Sequence, residues 1–513
     1  MQLRVRHIAR NVFSNWLATV ANMAVGFFLA PFIVHRLGNE AYGIWVLAIS
    51  SISYLAMLDL GMRSSVLRFI SKGRTVGDHE SSSAALSGAL WVRLQISLVV
   101  LILAAILAYV FPLVFKVPHS LARDAQCAVM IIGVNMAITM SMGVFGGVLS
   151  GINRYDMQTV VVLVQIAIRV TGVVLVLRHG RGIVAIAGCE FLATLVGNVL
   201  LVTLARRLYP ELRVSFRRPE SQVLRALWSY SVYAFLSTVA MQLVYQTDNL
   251  VVGGFISAAA VTLYSIGNSL SRYTDQLTSA MTLSFVPAAS TFEAAGDTGR
   301  LQGLYKIGTR AVMAVSLPLV TTWLIRGRIF IGLWMGPQYS QRSGTVLIIL
   351  ATALIFSQAN NAALAIAFGT DKHKVAAKWS LGEGVTNLVL SMLLVRPYGI
   401  YGVAIGTLIP SLFVHLVLWP RYIGRTIDMK SWEVIVKIWG PMLLSAIPFA
   451  IVSYAVNLKF PPRNILIFVA QTAVILPVFY AAVSVVFRQE VRLRVLPAVR
   501  GFMRSKTNLF AQG

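Results

Sequence analysis

Among the ionisable side chains inside long apolar stretches are Arg169, Glu190, Asp248, Arg272, Asp275 and Glu383. An ionised group at the centre of a bilayer costs roughly 3 kcal/mol or more, so each must face a cavity, a partner or a ligand. A guanidinium offers a planar fork of donors that matches phosphate and carboxylate. Arg169 and Arg272 are the deepest basic residues, too far from the ends of their stretches to reach water easily, and are the candidate substrate partners. A carboxylate in the same setting can be neutralised by H+ or can hold Na+, which is what coupling to an ion gradient needs. Asp248 is the first choice for that role and Glu383 the second, with Asp275 and Glu190 behind them. Asp275 follows Arg272 by three residues, a helical spacing at which the two can touch, so a structural ion pair and a functional role both stand for them. Arg169 has no opposite charge at helical spacing, which leaves Glu190 on the following stretch or a substrate anion as its partner. Arg93 lies about one turn inside the end of its stretch and is expected to reach the headgroups along its aliphatic stem.

Neutral polar groups add to this set. Asn22, Asn135, Gln165, Gln242 and Asn387 read first as hydrogen-bonding links between helices, and nothing in their spacing says which face a cleft. Pro31, Pro287, Pro318, Pro410, Pro448 and Pro477 fall in or near the apolar stretches and permit bends. Catalytic constellations are missing: no glycine loop with a lysine to cradle phosphate, no histidine pair at metal-ligand spacing, no segment long enough for a nucleotide-binding domain. The chain is therefore not read as an enzyme, and no catalytic residue, metal or cofactor is expected.

The elements that must position these groups are membrane-spanning helices. Of 513 residues, 57% are hydrophobic and 12% charged. With a mean hydropathy of +0.75 that leaves no room for a large soluble domain. A span needs roughly 20 apolar residues. Such stretches occur at about 12–34, 41–60, 86–114, 125–149, 157–177, 182–205, 229–254, 260–289, 305–325, 343–367, 376–395, 400–420, 436–457 and 463–487. The fold class is thus an all-α polytopic membrane protein of about 14 transmembrane helices. Lys and Arg collect in every second gap, about thirty on one side against about eleven on the other, which predicts that both termini are cytoplasmic.

The net charge of +26 is scattered over short loops with no basic domain and no interleaved aromatics, so nucleic acid is not an expected partner. Anionic phospholipid headgroups account for it. A short basic start runs directly into the first span, so no cleaved signal is needed. Cys127 and Cys189 both fall within spans, which argues against a disulfide framework.

Laid on itself at an offset of about 220 residues, the chain shows two weak internal matches. Ala41-Tyr42-Gly43-Ile44 pairs with Leu263-Tyr264-Ser265-Ile266, and the segment 182–187 pairs with 399–404. They predict two pseudo-symmetric six-helix lobes, 1–205 and 229–420, joined by a basic cytoplasmic linker at 206–228 and followed by two additional helices and a basic tail at 421–513. An even number of spans gives the lobes the same orientation, with the pseudo-two-fold axis along the membrane normal. Two matched bundles around a cleft are a frame for alternating access.

Several segments resemble one family. Asn11 through Ser14-Asn15, and Pro31-Phe32 through Gly38-Asn39-Glu40-Ala41-Tyr42-Gly43-Ile44-Trp45, look like the first helix pair of the polysaccharide-transporter (Wzx-like) flippases. These belong to the multidrug/oligosaccharidyl-lipid/polysaccharide exporter superfamily. Leu58-Asp59-Leu60-Gly61-Met62 with Arg68 downstream, Tyr245-Gln246-Thr247-Asp248-Asn249 and Leu263-Tyr264-Ser265-Ile266-Gly267 are similar to later segments of that family. So are Phe330-Ile331-Gly332-Leu333-Trp334 and Asn387-Leu388-Val389-Leu390-Ser391. The resemblance covers nearly the whole chain. It implies a bacterial inner membrane protein that moves undecaprenyl-pyrophosphate-linked oligosaccharide to the outer leaflet. It also implies coupling to an ion gradient, and the polysaccharide polymerase machinery as a partner. The arginine-rich first-helix signature expected of lipid II flippases is missing. A cation-coupled multidrug exporter and a membrane glycan polymerase or ligase are the other classes, the former disfavoured by a cationic cleft and the latter by short outer loops.

Overall fold

A computed structural model describes residues 2–59, 62–215, 221–282 and 284–487, and among them there is no strand. The helices are α1 (Gln2–Ser53), α2 (Met62–Val76), α3 (His79–Val114), α4 (His119–Met142), α5 (Val144–Gly151), α6 (Tyr155–Arg178), α7 (Ile183–Leu208), α8 (Ser221–Phe255) and α9 (Ala258–Thr282). They continue as α10 (Phe285–Ala294), α11 (Thr298–Met335), α12 (Pro337–Ala359), α13 (Asn361–Gly369), α14 (His373–Phe413), α15 (Trp419–Thr426), α16 (Ser431–Glu433), α17 (Gly440–Lys459) and α18 (Ile465–Val486). Leu60, Gly61, residues 216–220 of the expected linker and the tail from Arg488 onward lie outside the described residues, as do the side chains of Arg4, Arg6, Arg10, Arg63 and Arg225.

Helices dominate because an apolar chain in lipid must satisfy every backbone polar group within its own segment. Ten stretches among the described residues are long and apolar enough to cross a bilayer. Two of these, Trp16–Asp59 and Lys374–Thr426, hold 44 and 53 residues. At about 1.5 Å per residue each is more than twice as long as a hydrocarbon core is thick. Each is broken at a glycine, Gly38 (φ 78°, ψ 170°) in α1 and Gly399 (φ 59°, ψ −138°) in α14. A methyl group at either position would meet nothing within 4 Å, so glycine is required there for its conformation and not for space. The expected total of about 14 counts both halves of these two stretches and adds α8 and α9.

Some breaks differ from the expected stretches. Instead of running unbroken over 125–149, 260–289 and 343–367, the chain is interrupted at Gly143, before Phe285 and at Asn360. Pro31, Pro318, Pro410, Pro448 and Pro477 sit inside helices, so the sharp turns of α1 and α14 belong to glycines.

Packing divides the chain into two units, Met1–Ser269 with Lys374–Pro410, and Leu270–His373 with Ser411–Gly513. The lobes expected at 1–205 and 229–420 are defined by the repeat and not by this division. In the first unit α2, α3, α5 and α7 enclose a core that includes Val66, Ile70, Leu86, Phe145, Val148 and Leu149. The chain leaving α7 is strapped to one face of α3. The Tyr209 hydroxyl and His79 Nδ1 lie 2.8 Å apart, and the backbone N–H groups of Arg213 and Ser215 donate to the hydroxyls of Ser83 (3.1 Å) and Ser87 (2.9 Å). In the second unit α11 packs on α12, α17 and α18.

The backbone repeats with a constant register. Gly77 (φ 78°) and Gly296 (φ 64°) are 219 residues apart, and each is followed by an aspartate that caps the next helix: Asp78 accepts from Ser81 N and Asp297 from Arg300 N, both at 2.9 Å. Asn153 (φ 59°) and Asp371 (φ 54°) are 218 apart, Gly180 (φ 69°) and Gly399 219 apart. The helix crossings repeat as well. A methyl on Gly151 would lie 2.6 Å from Ile70 Cγ2 and 3.2 Å from the Leu67 carbonyl; one on Gly369 would lie 2.7 Å from Ala289 Cβ and 2.6 Å from the Val286 carbonyl. Backbone approaches of this kind need small residues. Gly369→Val is therefore expected to destabilise the protein by about 1–3 kcal/mol through overpacking. A lowered midpoint of thermal unfolding in detergent would show it, whereas Gly188→Ala, with open space around its Cα, should leave the midpoint in place.

Candidate functional site

The last third of α8 carries four consecutive polar residues, Gln246, Thr247, Asp248 and Asn249. Successive residues on a helix point about 100° apart, so such a run cannot be confined to one face. Three of the four meet the end of α1 and the turn after it. Ser50 Oγ donates to Gln246 Oε1 (3.1 Å) and accepts from Asn249 Nδ2 (3.0 Å), while the Tyr54 and Thr247 hydroxyls lie 2.6 Å apart. Asp248 points elsewhere, toward α9 and α14, and is 4% exposed. Its Oδ2 accepts from the hydroxyls of Tyr264 (2.6 Å) and Thr407 (3.0 Å), its Oδ1 from Asn387 Nδ2 (3.1 Å). Asn387 Oδ1 in turn accepts from Ser391 Oγ (2.9 Å) and lies 3.2 Å from Thr407 Oγ1, and the hydroxyls of Ser391 and Thr407 both reach the Val403 carbonyl. A buried carboxylate thus accepts from two hydroxyls and one amide N–H, with the Asn387 amide oxygen and the Val403 carbonyl one hydrogen bond further out in the same network.

The second cluster of the first unit lies between α6 and α7, consecutive antiparallel helices. Arg169 Nε is 2.6 Å from Glu190 Oε1, and the two side chains are 28% and 23% exposed. Arg169 is nine residues before the end of α6 and Glu190 seven after the start of α7, which puts both about 10–14 Å from the connecting turn. The helices approach closely on either side of the pair. A methyl on Gly172 would lie 2.9 Å from Cys189 Sγ, and one on Gly197 2.0 Å from Gln165 Nε2. Of the two partners open to Arg169, Glu190 is the one it holds here.

In the second unit Asp275 Oδ1 accepts from Gln358 Nε2 (3.0 Å); Gln358 Oε1 accepts from the Thr278 hydroxyl and from Asn361 Nδ2 (2.8 Å). Arg272, half-buried, precedes Asp275 by three residues on α9. Glu383, also half-buried, lies one turn before Asn387 on α14, next to Gly384, whose Cα approaches Leu243 of α8.

Two arginines are not where the sequence reading puts them. Arg93 does not reach outward along its stem: it is 2% exposed, donates to the Met140 carbonyl (2.7 Å) and is paired with Asp59. Arg326 is not in a loop beyond a span ending near 325, because α11 continues to Met335 and buries it to 1% exposure. Its guanidinium lies over the Phe468 ring (4.4 Å) and donates to Gln471. Asn22, expected as a link between helices, donates to Ala18 of its own helix. Tyr264 and Thr407 are the site residues that sequence reasoning missed; the only signal was that Asn387 and Ser391, like Val403 and Thr407, are spaced four apart.

The comparisons agree with this architecture. The family described as Polysaccharide biosynthesis protein matches residues 8–293, more than half of the chain. The chain is 26% identical over 446 residues, 86% of its length and 87% of the relative's, to the Uncharacterized membrane protein EpsK of Bacillus subtilis. It is 22% identical over 429 residues to the Probable low-salt glycan biosynthesis flippase Agl15 of Haloferax volcanii, covering 82% of this chain and 85% of that one. Among solved structures, Lipid II flippase MurJ in an inward closed conformation superposes with a TM-score of 0.68 at 13% identity, over 94% of this chain and 100% of the other.

Proposed function

The chain belongs to the family of polysaccharide biosynthesis proteins, and from that premise we propose that it is a flippase for a lipid-linked glycan. The cargo is an undecaprenyl-pyrophosphate-linked oligosaccharide, moved from the cytoplasmic to the outer leaflet of a bacterial inner membrane by alternating access between two lobes. Arg169 and Arg272 serve as partners of the pyrophosphate. Asp248 is the ion-coupling carboxylate, with Glu383 and Asp275 as further candidates, and H+ or Na+ is the driving ion. The observation that carries this reading is Asp248, a membrane-buried carboxylate ringed by Tyr264, Asn387 and Thr407. A purely structural acid at that depth would be costly to keep, whereas a carrier without a nucleotide-binding domain needs an exchangeable ion site. The homologue named as a probable glycan biosynthesis flippase supports the cargo class.

The direct test is translocation of a fluorescent undecaprenyl-pyrophosphate-linked oligosaccharide in proteoliposomes under an imposed H+ or Na+ gradient. Transport that responds to one of these gradients and stops when it is collapsed is the expected result; cargo that crosses equally in protein-free liposomes, or not at all under either gradient, would reject the reading. Orientation follows from the loop charges. Reporter fusions placed after the basic linker at 206–228 and at the C-terminus are expected to report the cytoplasm, and an outer-side signal at either would reverse the assignment.

A further inference from the structure

The Arg169–Glu190 pair has a counterpart that shows what its hairpin requires. Asn387 lies 218 residues beyond Arg169 and Thr407 lies 217 beyond Glu190, within one or two residues of the 218–219 spacing at which the positive-φ residues recur. In the second copy of the hairpin, on either side of Gly399, an amide and a hydroxyl 3.2 Å apart occupy the place of the ion pair. In that copy the neutral pair also holds the Asp248 carboxylate, so the charge there comes from a neighbouring helix and not from the hairpin itself. The first copy instead holds two charges, which must be stripped of much of their water to sit there. Both side chains are nonetheless only partly buried, at 28% and 23% exposure. On either side of them Gly172 meets Cys189 and Gly197 meets Gln165, with no further charge. On α6, which packs against α7, the other ionisable residues are Tyr155, Asp156 and Arg178, nine or more residues from Arg169. On α4 they are His119, Arg123, Asp124 and Cys127 in its first nine residues, with Asp124 Oδ2 3.8 Å from where a methyl on Gly182 would sit, eight residues before Glu190; on α1 they are His35, Arg36, Glu40 and Tyr42; α5 has none.

We propose that Glu190 is an internal counter-anion that holds Arg169 until a phosphate oxygen displaces it, and that the displaced carboxylate then takes up a proton. This rests on the reading of the cargo as a pyrophosphate. In the resting pair the guanidinium and the carboxylate neutralise each other. When an anionic phosphoryl oxygen takes the guanidinium N–H groups, the Glu190 carboxylate is left without its cation in a poorly hydrated place. One H+ from water at the open side of the protein then adds to it and gives a neutral carboxylic acid. Charge is conserved across the exchange: one anion and one proton enter together. Anion binding and proton binding are then linked, and each strengthens the other by the same factor. When the anion departs, Arg169 recaptures the carboxylate and the proton is released. The site thus distinguishes an anionic headgroup from a neutral or cationic solute, since only an anion can free Glu190.

Inorganic pyrophosphate is the probe, added to the purified full-length protein in detergent micelles. Binding is followed by calorimetry and proton uptake by an indicator dye in weak buffer. The wild type is expected to take up close to one proton per pyrophosphate bound, over and above the uptake seen with Glu190→Gln. Glu190→Gln, having lost the competing anion, is expected to bind at least about tenfold more tightly. Equal affinity and equal proton uptake in the two proteins would overturn the exchange while leaving pyrophosphate recognition in place; no binding by either would overturn the pyrophosphate reading and the exchange with it. Because Glu190→Gln leaves Arg169 uncompensated and could fail to fold, Glu190→Asp is the second variant. It keeps the charge but withdraws it by one methylene, and is expected to bind pyrophosphate more tightly than wild type with the proton uptake retained. Affinity unchanged in Glu190→Asp would count against competition.

Discussion

Asp248→Asn is expected to lower transport by about 100-fold or more, a loss of roughly 2.7 kcal/mol of barrier stabilisation, while leaving the protein abundant in the membrane. The asymmetry follows from the donors around it. Asparagine has the same shape and still presents one oxygen, and the hydroxyls of Tyr264 and Thr407 can turn to accept from its new N–H group as readily as they now donate. What cannot be replaced is the negative charge. A proton or Na+ would have nothing to neutralise at that position, and an ion gradient would have no handle. The measurement is gradient-driven translocation in proteoliposomes beside protein abundance in the same membranes. Normal transport by Asp248→Asn would remove Asp248 from the coupling role and move attention to Glu383 and Asp275.

Arg169→Ala is expected to lose transport as completely, but with a different accompaniment. It strands Glu190 without its partner, and breaking one side of a desolvated pair commonly costs about 3–5 kcal/mol; the partial exposure of both side chains puts this case below that range. Lower abundance is therefore expected for Arg169→Ala. The double change Arg169→Ala with Glu190→Ala should restore abundance and leave transport absent. Arg169→Lys should recover part of the transport, since an ammonium keeps the charge and loses the planar fork. The charge reversal Arg169→Glu with Glu190→Arg separates a structural pair from a functional one: it can rebuild the ion pair but moves the cation to the other helix. Normal transport by the reversed or the doubly neutral protein would make the pair structural.

Much of this was readable in the sequence, and the reasons are local. Apolar stretches and the alternation of basic gaps report lipid contact residue by residue, so the helices and the repeat could be found without tertiary information. The Arg169–Glu190 partnership was one of two options because a hairpin of consecutive helices constrains which residues can meet at one depth. Asp248 stood out as an acid in an apolar run. Its partners did not, since Tyr264, Asn387 and Thr407 come from helices 16, 139 and 159 residues away, and no spacing rule connects them. Arg326 was misplaced because Gly327, Arg328 and the preceding run look like the end of a span, whereas α11 continues for nine more residues and closes α18 over it. The glycine breaks in α1 and α14 were legible as gaps; the breaks at Gly143 and Asn360 were not, because apolar sequence continues through them.

The strap that binds the chain after α7 to α3 has a bearing on synthesis. Every partner in it, from His79 to Ser215, has been synthesised before the second copy of the repeat begins. At roughly 5–20 residues per second the remaining residues to Gly513 take on the order of 15–60 s to appear. During that interval the nascent first half can pin its own trailing segment against α3. The order in which the helices are born thus favours pairing within the first half before most helices of the second half exist to compete for it.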